Sequence, residues 1–511
     1  MRPAGPGWIA AAPWVVGLVA VAALCLKNAW AADDAYITFR SVEQLLAGHG
    51  PRWNPHERVQ VFTHPLWFVA VTVARVALGD MYLAALATSL ACVLATAWWM
   101  RRFFVTETAW LLAIGLLLSS KAFVDFAASG LENPLSALLV AVFLTLLSAP
   151  ADGAVAPRQA LRLTLAFGLA LTCRHDLATL LAVPWAWWLL RHRDAPRAPL
   201  VRAVLVGLGP IVAWTVFSVV YYGFPFPNTA YAKLMAVPPD GLLWSQGAAY
   251  FRDSLQRDPL TLAVLAAGLA VGAAGRDAAG RAVAAGVACN LLYVLRIGGD
   301  FMSGRFFTSA LVASLWLLAR SSWPLLRARS SPFVAVALLA AYNLLAPGAP
   351  WRRVRVDATQ GAIPGNRIVD EITWYYQGSS LPDWARRGSG SPFPRHLWFL
   401  AGLEFAASSQ RITVRQTIGY FGFAARLDQI IVDHHAISDP FLARLPVLWG
   451  TWRPGHFMRD IPVGYSASLR DGTNEITDPA QRALYDDVVL VTRGPLFSAA
   501  RWRAIVRLNL R

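Results

Sequence analysis

Charged residues are scarce in this chain. Asp, Glu, Lys and Arg make up 15% of its 511 residues, where an ordinary soluble domain carries about 25%. Acids are scarcer than bases, 30 against 46. Cysteine is nearly absent: Cys25, Cys92, Cys173 and Cys289 each fall in or at the end of an apolar run. None has metal-ligand spacing or a partner in the polar tail, which supports neither a zinc site nor a disulfide scaffold. There is no glycine-rich phosphate loop, no internal repeat, and no low-complexity stretch beyond a Gly/Ser patch at 388–391.

What the chain has is apolar surface in long runs. Hydrophobic residues make up 56%, Trp occurs 22 times, and mean hydropathy is +0.44. A run of about 18 or more apolar residues can cross the hydrocarbon of a bilayer. Eleven spans are expected, near 8–26, 82–100, 108–120, 134–148, 161–173, 177–190, 203–222, 259–274, 282–296, 306–320 and 332–347. The first follows Arg2 and competes with a cleaved signal peptide. It is long, lacks a clear small-x-small site and runs straight into a polar motif, so a retained span is expected. The stretch 64–78 contains Arg75 and precedes Gly79-Asp80. It reads as a helix lying on the membrane surface, with Trp67 as its interfacial anchor.

The net charge of +16 would suit nucleic acid if it were clustered, but most Arg residues sit in short loops between apolar runs. With a cytoplasmic N-terminus, the inside loops hold Arg101 and Arg102; Arg158; Arg191, Arg193, Arg197 and Arg202; Arg276 and Arg281; and Arg320, Arg327 and Arg329. Every inside loop is then basic, as the positive-inside rule requires. No nucleic-acid partner is expected. Outside lie 27–81, 121–133, 174–176, 223–258, 297–305 and the tail 349–511. A tail of about 160 residues is enough for a domain. The expected division is therefore 1–348 in the membrane and 349–511 as an extracytoplasmic α/β domain, with strands at 430–432 and 488–492 and helices at 382–387 and 501–507.

The polar chemistry gathers in the outside loops. The first opens Ala32-Asp33-Asp34-Ala35-Tyr36-Ile37-Thr38-Phe39-Arg40. Asp33 or Asp34 can cap a helix running to about Ala47, ended by Gly48-His49-Gly50. One carboxylate is enough for a cap, and a second repels it unless a cation or an acceptor hydroxyl makes use of it. One of the pair is therefore a candidate base. His64, in Thr63-His64-Pro65, reads equally as a turn residue or a substrate contact. Glu132, in Ser129-Gly130-Leu131-Glu132-Asn133-Pro134, either caps the next span or faces the Asp pair across a common cavity. Arg174, Lys233, Arg296 and Arg305 are outside cations that topology does not explain. Such cations are the usual partners of phosphate, although each alone can snorkel to lipid. Acids on one side and cations on the other suit a phosphate donor and a reacting hydroxyl. A carboxylate takes the hydroxyl proton while cations stabilise the departing phosphate. Outside the cytoplasm, the natural donor is a lipid-linked phosphate.

These motifs are familiar in combination. Asp33-Asp34-Ala35-Tyr36-Ile37, the turn at 48–54, Thr63-His64-Pro65-Leu66-Trp67, Gly130-Leu131-Glu132-Asn133-Pro134, Pro227-Asn228-Thr229, Gly298-Gly299-Asp300-Phe301-Met302 and Arg453-Pro454-Gly455-His456 occur in this order. From about 30 to 465 the chain resembles the AftB-like bacterial membrane glycosyltransferases. That resemblance implies a mainly α, polytopic GT-C fold in the bacterial cytoplasmic (inner) membrane. It also implies inverting transfer of D-arabinofuranose from a polyprenyl-phosphate carrier, such as decaprenylphosphoryl arabinose, to a glycan or glycoprotein acceptor outside the cytoplasm. Asp33 or Asp34 would be the base and Glu132 the second acid. Lys233, Arg305, Arg174 and Arg296 would face the donor phosphate. Tyr36, Arg40, His64, Asn228, Asp300 and His456 would touch substrate.

The chain departs from that pattern at Thr172-Cys173-Arg174-His175-Asp176, where relatives often read Thr-Arg-Pro-Glu; Asp176 could replace the usual acid. His434-His435 is also unusual, and two adjacent imidazoles do not easily ligate one ion. The Asp pair could hold a divalent cation, but further ligands are too few for a metal to be expected. Mannosyl or aminoarabinosyl transfer would use the same fold. A transporter or flippase for a lipid-linked sugar is the rival class, and it predicts polar residues on both membrane faces and repeated halves. A scaffold role for the tail would leave the clustered acids without a purpose.

Overall fold

The computed structural model describes residues 7–150, 155–234, 236, 238–320, 331–352, 364–388 and 390–510. Arg2, Arg327, Arg329, residues 353–363 of the tail and residue 389 of the Gly/Ser patch lie outside the described residues. The chain is mainly helical. Each of the eleven expected spans falls on helix: Gly7–Lys27, Met81–Met100, Glu107–Ser119, Asn133–Leu147, Ala156–Cys173, Leu177–Arg191, Arg197–Gly207 with Gly209–Tyr221, Pro259–Ala274, Ala278–Arg296, Thr308–Ala319 and Ser331–Leu345.

Length limits what these helices establish. Met81–Phe103, at 23 residues, and Ala278–Arg296, at 19, are long and apolar enough to cross a membrane. Among the described residues, two bent pairs raise that number to four: Arg197–Gly207 with Gly209–Tyr221, bent by 49°, and Leu242–Arg257 with Pro259–Ala274, bent by 111°. Most of the others have 12 to 15 residues. At about 1.5 Å per residue they are shorter than a hydrocarbon core of about 30 Å. The expected span 203–222 is thus two helices. Pro210 has no N–H and its ring clashes with the carbonyl four residues back, which breaks the ladder there.

The chain forms two compact units. Unit 1 comprises Met1–Trp30, Val73–Ile211 and Gly241–Leu381; unit 2 comprises Ala31–Thr72, Val212–Asp240 and Pro382–Arg511. The division at 348/349 answers another question, which side of a membrane each stretch occupies.

Unit 1 is helix packed on helix. The Thr308–Ala319 helix is buried along nearly its whole length, with Leu311, Leu315 and Trp316 enclosed. Asp258 caps the Pro259–Ala274 helix by accepting from Thr261 N at 3.3 Å, and Pro259 occupies the position where a missing N–H costs nothing.

Unit 2 has its own core, built from Phe224, Val432, Phe441, Leu442, Tyr465, Val488, Val491 and Ile505 among others. Its sheet has two parallel strands, β1 (Ile412–Arg415) and β2 (Ile430–Asp433), with Ile412 opposite Ile430 and Arg415 opposite Asp433. The expected strand at 430–432 is present and β1 is its partner. The expected strand at 488–492 is helical instead, part of Pro479–Arg493. The β-branched run suggested a strand, but Asp478 caps a helix by accepting from Gln481 N at 2.8 Å. Tyr485, Val488, Val491 and Thr492 are buried at helical spacing. The expected helices at 382–387 and 501–507 appear as Leu381–Arg386 and Ala499–Asn509.

Trp67 is fully buried, so it is no interfacial anchor. It lies on the packed face of the Pro65–Leu78 helix, while Val69, Val73 and Val76 are exposed.

Candidate functional site

In unit 2 the helix Asp33–Leu46 starts from Ala32, whose extended backbone (φ −71°, ψ 151°) makes it the cap, and no side chain caps it. The expectation that Asp33 or Asp34 caps its own helix is therefore corrected. Asp33 turns to other donors: Oδ1 accepts from Tyr420 N at 2.7 Å and Oδ2 from Gly419 N at 3.3 Å. A Cβ at Gly419 would overlap the Asp33 carbonyl, so only glycine permits this approach. Burial pushes Asp33 up to about 7 and the Asp34 charge pushes the same way, against the two N–H bonds and the Arg453 charge. Asp34 is half-buried beside it.

Other residues of the same helix take partners of their own. The Tyr36 ring meets Tyr420 edge-on at 4.8 Å and Phe423 at 5.1 Å. Thr38, one turn after Asp34, has its Oγ1 2.8 Å from His64 Nε2, and His64 Nδ1 lies 3.2 Å from Thr63 Oγ1. Arg40 is completely buried and donates to five backbone carbonyls, those of Trp53, Gly422, Ala425, Arg426 and Gln429. These bonds tie the helix to the 422–429 segment. Asn228 does similar work, with Nδ2 donating to Ala436 O at 2.8 Å and Ile437 O at 3.1 Å.

Two cations of unit 2, Lys233 and Arg453, stand on separate elements. Lys233 is on the helix Asn228–Leu234. Arg459 fixes that helix by donating to Ala232 O at 2.5 Å and to Phe457 O at 2.5 Å. The turn Arg453-Pro454-Gly455-His456 closes through His456 N to Arg453 O at 2.9 Å, with Gly455 at φ 75°. Proline second and a positive-φ glycine third are what a type II turn requires. The turn puts Arg453 Nη2 2.9 Å from His456 Nε2, and His456 packs edge-on against His435 at 4.8 Å. Burial, with the Arg453 charge, holds His456 well below the usual imidazole range. His435 is lowered to about 4, chiefly by burial. Arg453 is not among the site residues expected from sequence, although its place in the Arg453-Pro454-Gly455-His456 motif signals it.

Unit 1 holds a separate buried ion network. Glu132 Oε1 accepts from Arg174 Nη1 and Arg305 Nη2, each at 3.0 Å. Arg174 also forms a bidentate pair with Asp176, at 2.9 and 2.6 Å. Arg305 Nη1 lies 3.6 Å from Asp300 Oδ2. Although burial opposes its charge, Asp176 and Glu132 hold Arg174 above its ordinary pKa. Asn133 sets the geometry, with Nδ2 donating to Arg305 O at 3.1 Å and Thr308 Oγ1 at 2.9 Å. Glu132 occupies the cap position of the next helix but makes no capping bond. In this unit the expected acids and cations pair with one another. Arg296 is not in the network; it is exposed at the end of its helix, over the Trp244 ring at 5.6 Å.

Among the described residues, no three His, Cys, Asp or Glu side chains converge as metal ligands.

No family model matches the chain. The terminal β-(1→2)-arabinofuranosyltransferase of Corynebacterium glutamicum is 33% identical over 333 residues, covering 56% of this chain and 47% of that protein. The terminal β-(1→2)-arabinofuranosyltransferase of Mycobacterium tuberculosis is 30% identical over 336 residues, covering 57% and 52%. The chain thus spans about half the length of the curated relatives it matches. Among solved structures, apo ArnT from Cupriavidus metallidurans aligns at TM-score 0.45 and 18% identity, over 84% of this chain and 79% of ArnT. The same protein bound to undecaprenyl phosphate aligns at 0.43 and 14%, over 96% and 88%. By sequence, this chain is similar to terminal β-(1→2)-arabinofuranosyltransferases, the class its motifs resemble.

Proposed function

We propose that this chain is an inverting membrane glycosyltransferase of GT-C type. It moves D-arabinofuranose from a polyprenyl-phosphate carrier to a glycan or glycoconjugate outside the cytoplasm. The observation that carries the reading is the division of labour in the Asp pair. Asp33 is buried and fixed by the Gly419 and Tyr420 amides, while Asp34 follows it half-buried at the head of the helix. Asp34 is the base and Asp33 holds it in place. The acceptor hydroxyl gives its proton to Asp34 as its oxygen bonds to the anomeric carbon. The bond from that carbon to the phosphate oxygen breaks from the opposite face, and the electron pair leaves with the polyprenyl phosphate. Tyr36 and His64 line the sugar side, and Lys233 faces the phosphate.

The eleven expected spans cross the membrane or its interface, the N-terminus is cytoplasmic, and 349–511 lies outside. Basic inside loops support this orientation. Glu132 orients Arg174 and Arg305 within unit 1.

The test is transfer from synthetic decaprenylphosphoryl arabinose to a panel of glycans by purified protein in detergent, with Asp34→Asn alongside. Arabinose transfer that Asp34→Asn abolishes is the expected result. Transfer only from a mannose or aminoarabinose carrier would keep the mechanism and replace the sugar. No transfer from any carrier would overturn the enzymatic reading in favour of a transporter.

A further inference from the structure

We infer that Arg453, presented by the Arg453-Pro454-Gly455-His456 turn and held by His456, receives the donor's phosphate group together with Lys233. This rests on the reading of the chain as a polyprenyl-phosphate-dependent transferase.

The turn gives Arg453 an oriented guanidinium. His456 Nδ1 lies 3.2 Å from Pro454 O, so Nδ1 carries the proton and donates to that carbonyl. Nε2 is left as the acceptor for Arg453 Nη2 at 2.9 Å. The ring stays neutral and positions the cation without repelling it. His435 supports His456 from the side, its Nδ1 2.9 Å from Gln416 O. Gln416 stands three residues before Gly419, whose amide bonds Asp33. The segment 416–420 thus runs from the support of His435 to the amides that hold Asp33, and the Arg453 charge is felt at Asp33.

Lys233 is held near the same turn. Arg459 bonds the carbonyls of Ala232 and Phe457 at once, which ties the residue before Lys233 to the residue after His456. Two cations match the reaction. The donor phosphodiester carries one negative charge; when the sugar leaves, the phosphate oxygen keeps the bonding pair and the monoester approaches two. The guanidinium groups of unit 1 are less suited, since Glu132, Asp176 and Asp300 place three acids around Arg174 and Arg305.

The experiment measures binding of decaprenyl phosphate to full-length protein in nanodiscs, by quenching of Trp fluorescence. It is read alongside donor KM and kcat. Arg453→Gln should weaken decaprenyl phosphate binding and raise donor KM at least about ten-fold, as loss of a charge-assisted bond predicts. Acceptor KM should not change. Arg453→Lys, which keeps the charge and loses the fork, should fall between, and it serves as the probe if Arg453→Gln does not fold. Wild-type affinity for decaprenyl phosphate in both variants would overturn the proposal. So would equal, Arg453-dependent quenching by phosphatidylglycerol, which would assign Arg453 to bulk lipid. Arg453-dependent binding without sugar transfer would sustain this inference while the transferase reading fails. Transfer with donor KM indifferent to Arg453 would do the reverse.

Discussion

Oε1 of Glu132 lies 3.0 Å from Nη2 of Arg305, 173 positions further along the chain. Arg174 shares that oxygen, and the carboxylate is buried. A buried pair repays its desolvation only while every partner is in place; removing one leaves an uncompensated charge, worth about 3 kcal/mol or more. Glu132→Gln is therefore expected to destabilise unit 1 by about 3 kcal/mol, seen as a lower denaturant midpoint in detergent. A midpoint unchanged from wild type would mean that the network does not hold these loops.

The pH dependence of Asp33 has a definite sign. Its carboxyl titrates at about 7 in the folded protein against an ordinary 3.8, chiefly because it is buried. Between those values the folded state binds the proton and the unfolded chain has lost it. Stability from Asp33 is thus full below about 4 and declines as pH rises to about 7. The difference in melting temperature between wild type and Asp33→Asn should favour wild type more at pH 5 than at pH 8. Equal differences at both would place Asp33 in a more solvated setting.

Asp34→Asn should lower kcat by about 100-fold or more, the usual contribution of a general base. Donor KM and melting temperature should stay close to wild type. A variant that loses stability in parallel with activity would give Asp34 a structural part instead.

Arg40 distinguishes fold from site. Its guanidinium is buried among five carbonyls, so Arg40→Met should cost about 3 kcal/mol or more in unfolding free energy through unsatisfied acceptors. A substrate contact would instead raise a KM and leave the unfolding midpoint in place.

The residues legible in sequence were those whose meaning is local. Apolar runs marked every expected span as helix, because hydropathy is a property of consecutive residues. The Asp33-Asp34 pair declared itself by its spacing. The strand at 430–432 was readable, but its partner β1 was not, since pairing joins stretches separated along the chain. The β-branched run at 488–492 misled because its helix is set by Asp478, ten residues earlier, and by burial of Val488 and Val491 in the core of unit 2.

The sequence by itself determined where the long apolar helices lie, which loops are polar and which residue types they carry, since composition and periodicity act over a few turns. Tertiary structure alone decided what each polar group does. Asp33 meets Gly419 and Tyr420 nearly four hundred residues on, Arg40 closes on the 422–429 carbonyls, and Glu132 takes Arg174 and Arg305. A buried charge must find its partner wherever the fold brings one within about 3 Å, and no local pattern encodes that distance.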